Sequence, residues 1–315
     1  MQRSNYPTPE AMCAYPTEHW LTADVDEMRR HDFDTVLFCV TEDMLRRRDM
    51  SVRPVVEHTK QQGLSCEADL WGFAKVLGGE PPSAFAADPS QQACLNNPDF
   101  RSLMSDAIDY VQALGFDRLF IDEPNFANVE NPNPCSCCQG KERELVRLMA
   151  DYAGRLSIRS TVCMISTEHG YKVLESLAAE RTVHGVATDP YYSNFPSSHD
   201  SPHRYVGGWA RRLKGLEARY GVKPQIAVQG FHLPMPMDDK RAWRAEADAR
   251  PWHEIPLWAA EAALAEGVRR ILFWAYQACS DFPELAPPYP ERVWDMTRTI
   301  NARVHHADPA GHAGP

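Results

Sequence analysis

Short apolar runs rich in Val, Ile, Phe and Cys recur along the chain. Between most of them lies a longer stretch in which apolar positions return every three to four residues. The runs at 12–15, 35–40, 64–70, 118–121, 161–165, 183–188, 225–228 and 271–274 predict strands, because brief continuous apolar segments suit strands buried on both faces. The stretches 100–114 (FRSLMSDAIDYVQAL), 141–156 and 205–220 predict helices with one apolar face. Gly63, Gly115, Gly221 and Gly267 close such stretches, where glycine adopts the left-handed stop conformation without a Cβ clash.

A strand followed by a helix, repeated through the chain, implies parallel strands joined by crossover helices. Eight such units in 315 residues fit a (β/α)8 TIM barrel better than an open doubly wound sheet. No GxGxxG follows the first strand, which removes the usual reason to expect a dinucleotide-binding fold. No linker or low-complexity block divides the chain. The expectation is one catalytic barrel domain over 1–305 and a disordered tail over 306–315.

Composition narrows the partners. With 43% apolar and 24% charged residues the chain reads as globular, and a formal charge of −10 without a basic stripe argues against nucleic acid. The start, MQRSNYPTPE, has no apolar leader core, and no stretch is apolar enough to span a membrane. A cytoplasmic location is therefore expected; assembly into a homo-oligomer is left open. Nine cysteines, odd in number and scattered, do not make a secreted disulfide framework. Cys13, Cys39, Cys66, Cys163 and Cys279 lie in or beside apolar runs and read as small core residues. Cys94, Cys135, Cys137 and Cys138 sit in polar, Asn- and Pro-rich segments and need another reason.

Reactive groups of such barrels collect at the C-terminal ends of the strands. Those positions here include Asp69, Trp71, Asp122, Glu123, Glu168, His169, Asp189, Tyr191, Gln229, Trp274 and Tyr276. A mouth so rich in carboxylates and rings suits a sugar, whose C–H faces stack on aromatics while its hydroxyls bind acids. The long segment DLWGFAKVLGGEPPSAF (69–85) adds Trp71 and Glu80 as candidate substrate contacts. Asp122 and Glu123 are the leading catalytic candidates. Strand alternation predicts that one of the two faces the barrel axis and the other sideways.

The stretch around them, FIDEPNFANVENPNPCSCC with CLNNPDFR upstream, resembles the zinc-containing family 42 (clan A) β-galactosidases over residues 69–145. In that family Asn-Glu ends the fourth strand and the Glu is the general acid/base. One cysteine precedes the strand and three follow it. The resemblance implies a glycosidase whose acid is Glu123, and a structural zinc held by Cys94, Cys135, Cys137 and Cys138. The cysteines by themselves favour the same metal, because four thiolates close a tetrahedral zinc site; a redox thiol pair, chance spacing and an iron–sulfur cluster are the alternatives. Three departures stand out. Asp122 replaces the Asn, the cysteine run is compressed to CSCC, and the end of the seventh strand, IAVQGF, offers Gln229 where clan A enzymes carry a nucleophilic Glu.

An amide cannot be that nucleophile, so a second carboxylate is required, and Asp189 in ATDPYY is the best placed. Either Asp122 is the nucleophile with Asp189 as acid/base, or Glu123 is the acid with Asp189 or Glu168 activating water. Two further readings remain: a non-hydrolytic carbohydrate-binding protein, suggested by Gln229, and a lyase or isomerase using Glu123, His169 or Asp189 to abstract a proton.

Overall fold

The structure, a computed structural model, describes residues 8–16, 19–70, 95–96, 98–124, 138, 140–191, 202–231, 254–280 and 289–306. Eight parallel strands close into a barrel in chain order: β1 (Glu10–Tyr15), β2 (Thr35–Cys39), β3 (Ser65–Asp69), β4 (Arg118–Asp122), β5 (Arg159–Met164), β6 (Gly185–Thr188), β7 (Lys223–Gln229) and β8 (Arg270–Trp274). Every expected strand forms, and β1 completes the ring by pairing with β8. The described helices are α1 (Thr22–Arg30), α2 (Glu42–Arg47), α3 (Arg53–Gln61), α4 (Pro98–Ala113), α5 (Glu142–Arg155), α6 (Glu168–Glu180), α7 (Pro202–Tyr220), α8 (Ile255–Ala265) and α9 (Pro290–His306). Among the described residues no helix is long and apolar enough to cross a membrane.

Strand alternation splits each apolar run between two cores. Val36, Phe38, Leu119, Ile121, Val162, Ile226, Val228 and Phe273 point outward and pack under the helices in the larger core. Met12, Leu37, Phe120, Cys163, Ala187, Ala227 and Leu272 point inward and fill the waist of the barrel. This double burial explains why the runs are continuous rather than alternating.

The barrel floor is ionic. Glu10 receives Arg118 Nη1 at 2.5 Å and Arg270 Nε at 2.7 Å, and the Thr35 hydroxyl donates to its Oε1 at 2.5 Å. Burial alone would raise the Glu10 carboxyl, but Arg270 and Arg118 hold it below the ordinary glutamate value. Gly185 makes room for this network: a Cβ there would lie 2.7 Å from Thr161 Oγ1 and 3.1 Å from Arg270 Nη1. A charged, hydrogen-bonded floor and an apolar waist leave the opposite end of the barrel to carry chemistry.

Candidate active site

At that end the inward alternation of the strands finishes on polar residues. Leu37 is followed inward by Cys39, Phe120 by Asp122, Ala227 by Gln229 and Leu272 by Trp274, while Asp69 ends β3 and Asp189 lies one residue past β6. The site is built by extending the inward face of each strand by one step.

Glu123 departs from the alternation. Its backbone takes φ 38°, in the left-handed region that a side chain seldom occupies, and Pro124 follows. The Glu123 N–H still donates to Cys163 O at 3.0 Å, prolonging the β4–β5 ladder by one bond. Its carboxyl then reaches Asp189 and hydrogen-bonds to it. Asp122, Glu123 and Asp189 therefore converge, where alternation alone predicted that the first two would part. The left-handed residue is the physical reason.

Asp189 is 6% exposed and Asp122 9% exposed. Burial, then the charges of Glu123 and Asp122, push the Asp189 carboxyl well above the ordinary aspartate value. The shift favours the protonated form of this carboxyl. Its Oδ1 has no hydrogen-bond partner among the described residues. Tyr191 turns back beside this pair, its N–H donating to Asp189 O at 2.6 Å. Burial and the surrounding carboxylates, Asp189 first, push its phenol up as well, so it stays a hydrogen-bond donor. Tyr191 also meets Phe231 edge to face at 5.0 Å, and both pack with Trp274 on the inner core, making an aromatic side to the acidic site.

Two thiols serve these acids. Cys39 Sγ donates to Asp69 Oδ2 at 3.2 Å, and Cys163 hydrogen-bonds to Asp122. Both thiols are raised well above the ordinary value, by burial first and then by these carboxylates. Both cysteines are buried, as their apolar runs predicted, but each faces a site carboxylate rather than only apolar packing. The signal was present in the register: Cys39 pairs with Asp69, and Asp122 with Cys163.

Across the barrel, Gln229 is 1% exposed and its Nε2 donates to Phe231 O at 2.9 Å. Gly230 permits this tight exit, since a Cβ there would lie 2.3 Å from the Phe273 ring. The amide is engaged with its own loop.

Three expected site residues lie elsewhere. Glu168 is the first residue of α6, behind the Thr167 cap, and pairs with Arg212 on α7 at 2.5 Å; its side chain is 73% exposed. His169 follows it, 62% exposed, with Nε2 3.4 Å from Glu142 Oε2. An acid in the first helical turn has a reason of its own, the cap and the helix dipole, which drew both residues to the helix layer. The Tyr276 hydroxyl is bound to Glu27 at 2.9 Å and Asp24 at 3.1 Å on α1, away from the carboxylate trio. Trp71, Glu80, Cys94, Cys135 and Cys137 lie outside the described residues. Cys138 is described: it is buried, and the Leu95 N–H donates to its Sγ at 3.2 Å. The residue after Cys94 thus touches Cys138. Both residues are buried and belong to the larger apolar core.

No protein-family model and no curated protein matches the chain. Solved structures do match in fold. GH5_18 from Streptomyces cattleya, in complex with GlcNAc, superposes with TM-score 0.68 at 15% identity, over 97% of this chain and 82% of that one. The Ostrinia furnacalis Group II chitinase catalytic domain 2 gives 0.57 at 12%, over 97% of each chain. The endo-beta-1,4-mannanase from Thermotoga petrophila gives 0.56 at 12%, over 96% of this chain and 77% of its own. Their shared (β/α)8 barrel is the fold of this chain.

Proposed function

We propose that this protein hydrolyses a glycosidic bond in an oligosaccharide or sugar-containing small molecule, with Glu123 as the proton donor. The observation that carries this is the meeting of Asp122, Glu123 and Asp189 at the C-terminal end of the barrel, beside the rings of Tyr191, Phe231 and Trp274. Asp189, buried and shifted toward its protonated form, lies beside the partly exposed Glu123 and would serve it as a neighbouring acid. Asp69, Tyr191, Gln229 and Trp274 lie at strand ends from which they can hold the sugar. The neighbours named above, solved with GlcNAc or named as mannanase and chitinase, add the likeness of a sugar-cleaving barrel. A panel of chromogenic glycosides tests the proposal. Wild-type turnover with Glu123→Gln reduced by roughly 10²–10⁴-fold supports it. The engaged Gln229 favours one rival, a protein that binds sugar without cleaving it. That rival predicts sugar-induced thermal stabilisation and no turnover of any glycoside.

The contact between Leu95 and Cys138 supports a structural zinc held by Cys94, Cys135, Cys137 and Cys138. Such a site would clamp the segment before α4 to the segment after β4, behind Glu123. About one zinc per chain by elemental analysis, lost in Cys138→Ser, is the expected result. Full metal content in that variant would remove Cys138 from the site.

A further inference from the structure

The end of β8 carries one ring of the mouth, Trp274, and the chain beyond it leaves the barrel interior and comes back. Ala275 still belongs to the inner core. Tyr276 and Gln277 then reach outward to α1. The Tyr276 hydroxyl lies 2.9 Å from Glu27 Oε2 and 3.1 Å from Asp24 Oδ1, and Gln277 Nε2 donates to Glu27 Oε2 at 3.3 Å. Gln277, Ala278 and Cys279 are left-handed in succession, and Cys279 is again part of the inner core. Such a run of non-glycine residues persists only where surrounding contacts impose it. On the outward side those contacts gather at Glu27, which also accepts from Trp294 Nε1 of α9 at 2.8 Å. The Trp294 ring meets Tyr276 edge to face at 5.1 Å. Asp24 shares the same face of α1 but also accepts from Tyr15 at the end of β1. On the inward side the contacts belong to the mouth. Trp274, Ala275 and Cys279 join Phe231 in the inner core, and the Gly230 N–H donates to Trp274 O at 2.5 Å.

We propose that Glu27, a helix residue outside the barrel, is a positioning residue for the mouth: by holding Tyr276 and Gln277 outward it fixes where Trp274 presents its ring. Its consequence for ligand affinity rests on the hydrolase reading above, whereas the placing of Trp274 does not. The physical route is short. Trp274 and Cys279 bracket the excursion, and the chain between them is held at its outer end by hydrogen bonds to one carboxylate. Without that acceptor the left-handed residues lose the contacts that impose them, and the turn relaxes toward ordinary backbone. The ring that begins the turn then shifts with it. Glu27 touches no ligand in this arrangement and acts only through the turn.

The test follows Trp274 directly, by fluorine NMR of the full chain labelled with 5-fluorotryptophan, its line assigned by its loss in Trp274→Phe. Glu27→Ala should move or split that line. Tyr276→Phe, which removes only the hydroxyl, should move it the same way by less, and decides the matter alone if Glu27→Ala does not fold. Glu10→Gln at the barrel floor is the control for general loosening: it should leave the line in place despite a larger loss of stability. An unmoved line in the folded Glu27 or Tyr276 variant, or equal movement in Glu10→Gln, would overturn the inference. The second arm uses the 4-nitrophenyl glycoside that the wild type turns over best. In Glu27→Ala its KM should rise at least about tenfold with kcat within about threefold, the mark of lost binding rather than lost chemistry. Glu27→Gln, which keeps one acceptor oxygen, should fall between. A moved line with KM unchanged would confine Glu27 to the fold and overturn its role at the site. Should no glycoside turn over, the hydrolase reading falls, and the Trp274 line still decides whether Glu27 positions the mouth.

Discussion

Glu123 and Asp189 stand in different solvent environments, and in the proposed hydrolase that difference divides their duties. Glu123 is partly exposed and can meet a leaving group, whereas Asp189 is buried behind it. Burial and the adjacent acids raise the folded Asp189 carboxyl above its unfolded value. Its contribution to stability is therefore fully present in acid, below the ordinary aspartate range, and is lost as pH rises through the folded value. Asp189→Asn removes the cost of holding a buried carboxyl among acids. We expect the variant to melt above wild type near about pH 8, with the gap closing toward about pH 4, and to lose activity. A variant less stable at every pH would contradict the assignment of Asp189 as a proton-holding residue. The left-handed φ at Glu123 carries a second expectation at this scale. Glu123→Gly should preserve or slightly raise the melting temperature, because glycine adopts that backbone freely, while abolishing the acid.

Among the described elements, the turn after β8 carries the longest run of left-handed residues. Gln277, Ala278 and Cys279 have φ of 48°, 52° and 57°, three left-handed non-glycine residues in succession. Glu27 on α1 anchors this turn by accepting from Tyr276 Oη at 2.9 Å, Gln277 Nε2 at 3.3 Å and Trp294 Nε1 on α9 at 2.8 Å. Burial would raise the Glu27 carboxyl, but the Trp294, Tyr276 and Gln277 hydrogen bonds hold it below the usual value. Its stabilisation is thus present above the ordinary glutamate range and fades as pH falls through the folded value. Glu27→Ala takes the acceptor from Trp294 Nε1 and leaves Tyr276 only Asp24 and Gln277 only the Tyr276 hydroxyl, at about 1–3 kcal/mol, and should lower the melting temperature by several degrees at neutral pH. An unchanged melting temperature would mean that water replaces the anchor at no cost. This element also shows where reading the sequence alone fails. Tyr276 follows a strand and so reads as a site residue, but its hydroxyl partners come from α1, more than two hundred residues earlier. Glu168 and His169 fail for a related reason, since a strand end and a helix cap occupy neighbouring positions in so short a connection. The strands themselves were legible because double burial writes each as a short continuous apolar run. Asp122 and Asp189 were legible because they follow such runs. The convergence of Glu123 with them was not, because it depends on one left-handed residue that no local pattern demands.

For the whole molecule, the two ends of the barrel divide stability from chemistry. The floor acid Glu10 is balanced by Arg118 and Arg270, whereas the acids at the opposite end meet thiols, a phenol and one another. Glu10→Gln would leave two buried guanidiniums short of their counter-charge, at about 3–5 kcal/mol, without touching the site. We expect a large fall in melting temperature with kcat unchanged on the protein that remains folded. A loss of kcat at unchanged stability would refute this division between the ends. The charge on Glu10 is lost as pH falls through its depressed folded value, so this network also sets an acid limit to stability.

The most direct test of the central claim is the dependence of kcat/KM on leaving-group acidity, measured for wild type and Glu123→Gln on one series of aryl β-glycosides. If Glu123 protonates the departing oxygen, the variant falls roughly 10²–10⁴-fold behind on the poorest leaving groups and approaches wild type on the best, which need no proton. A deficit that is constant across the series, or no deficit at all, would contradict the account.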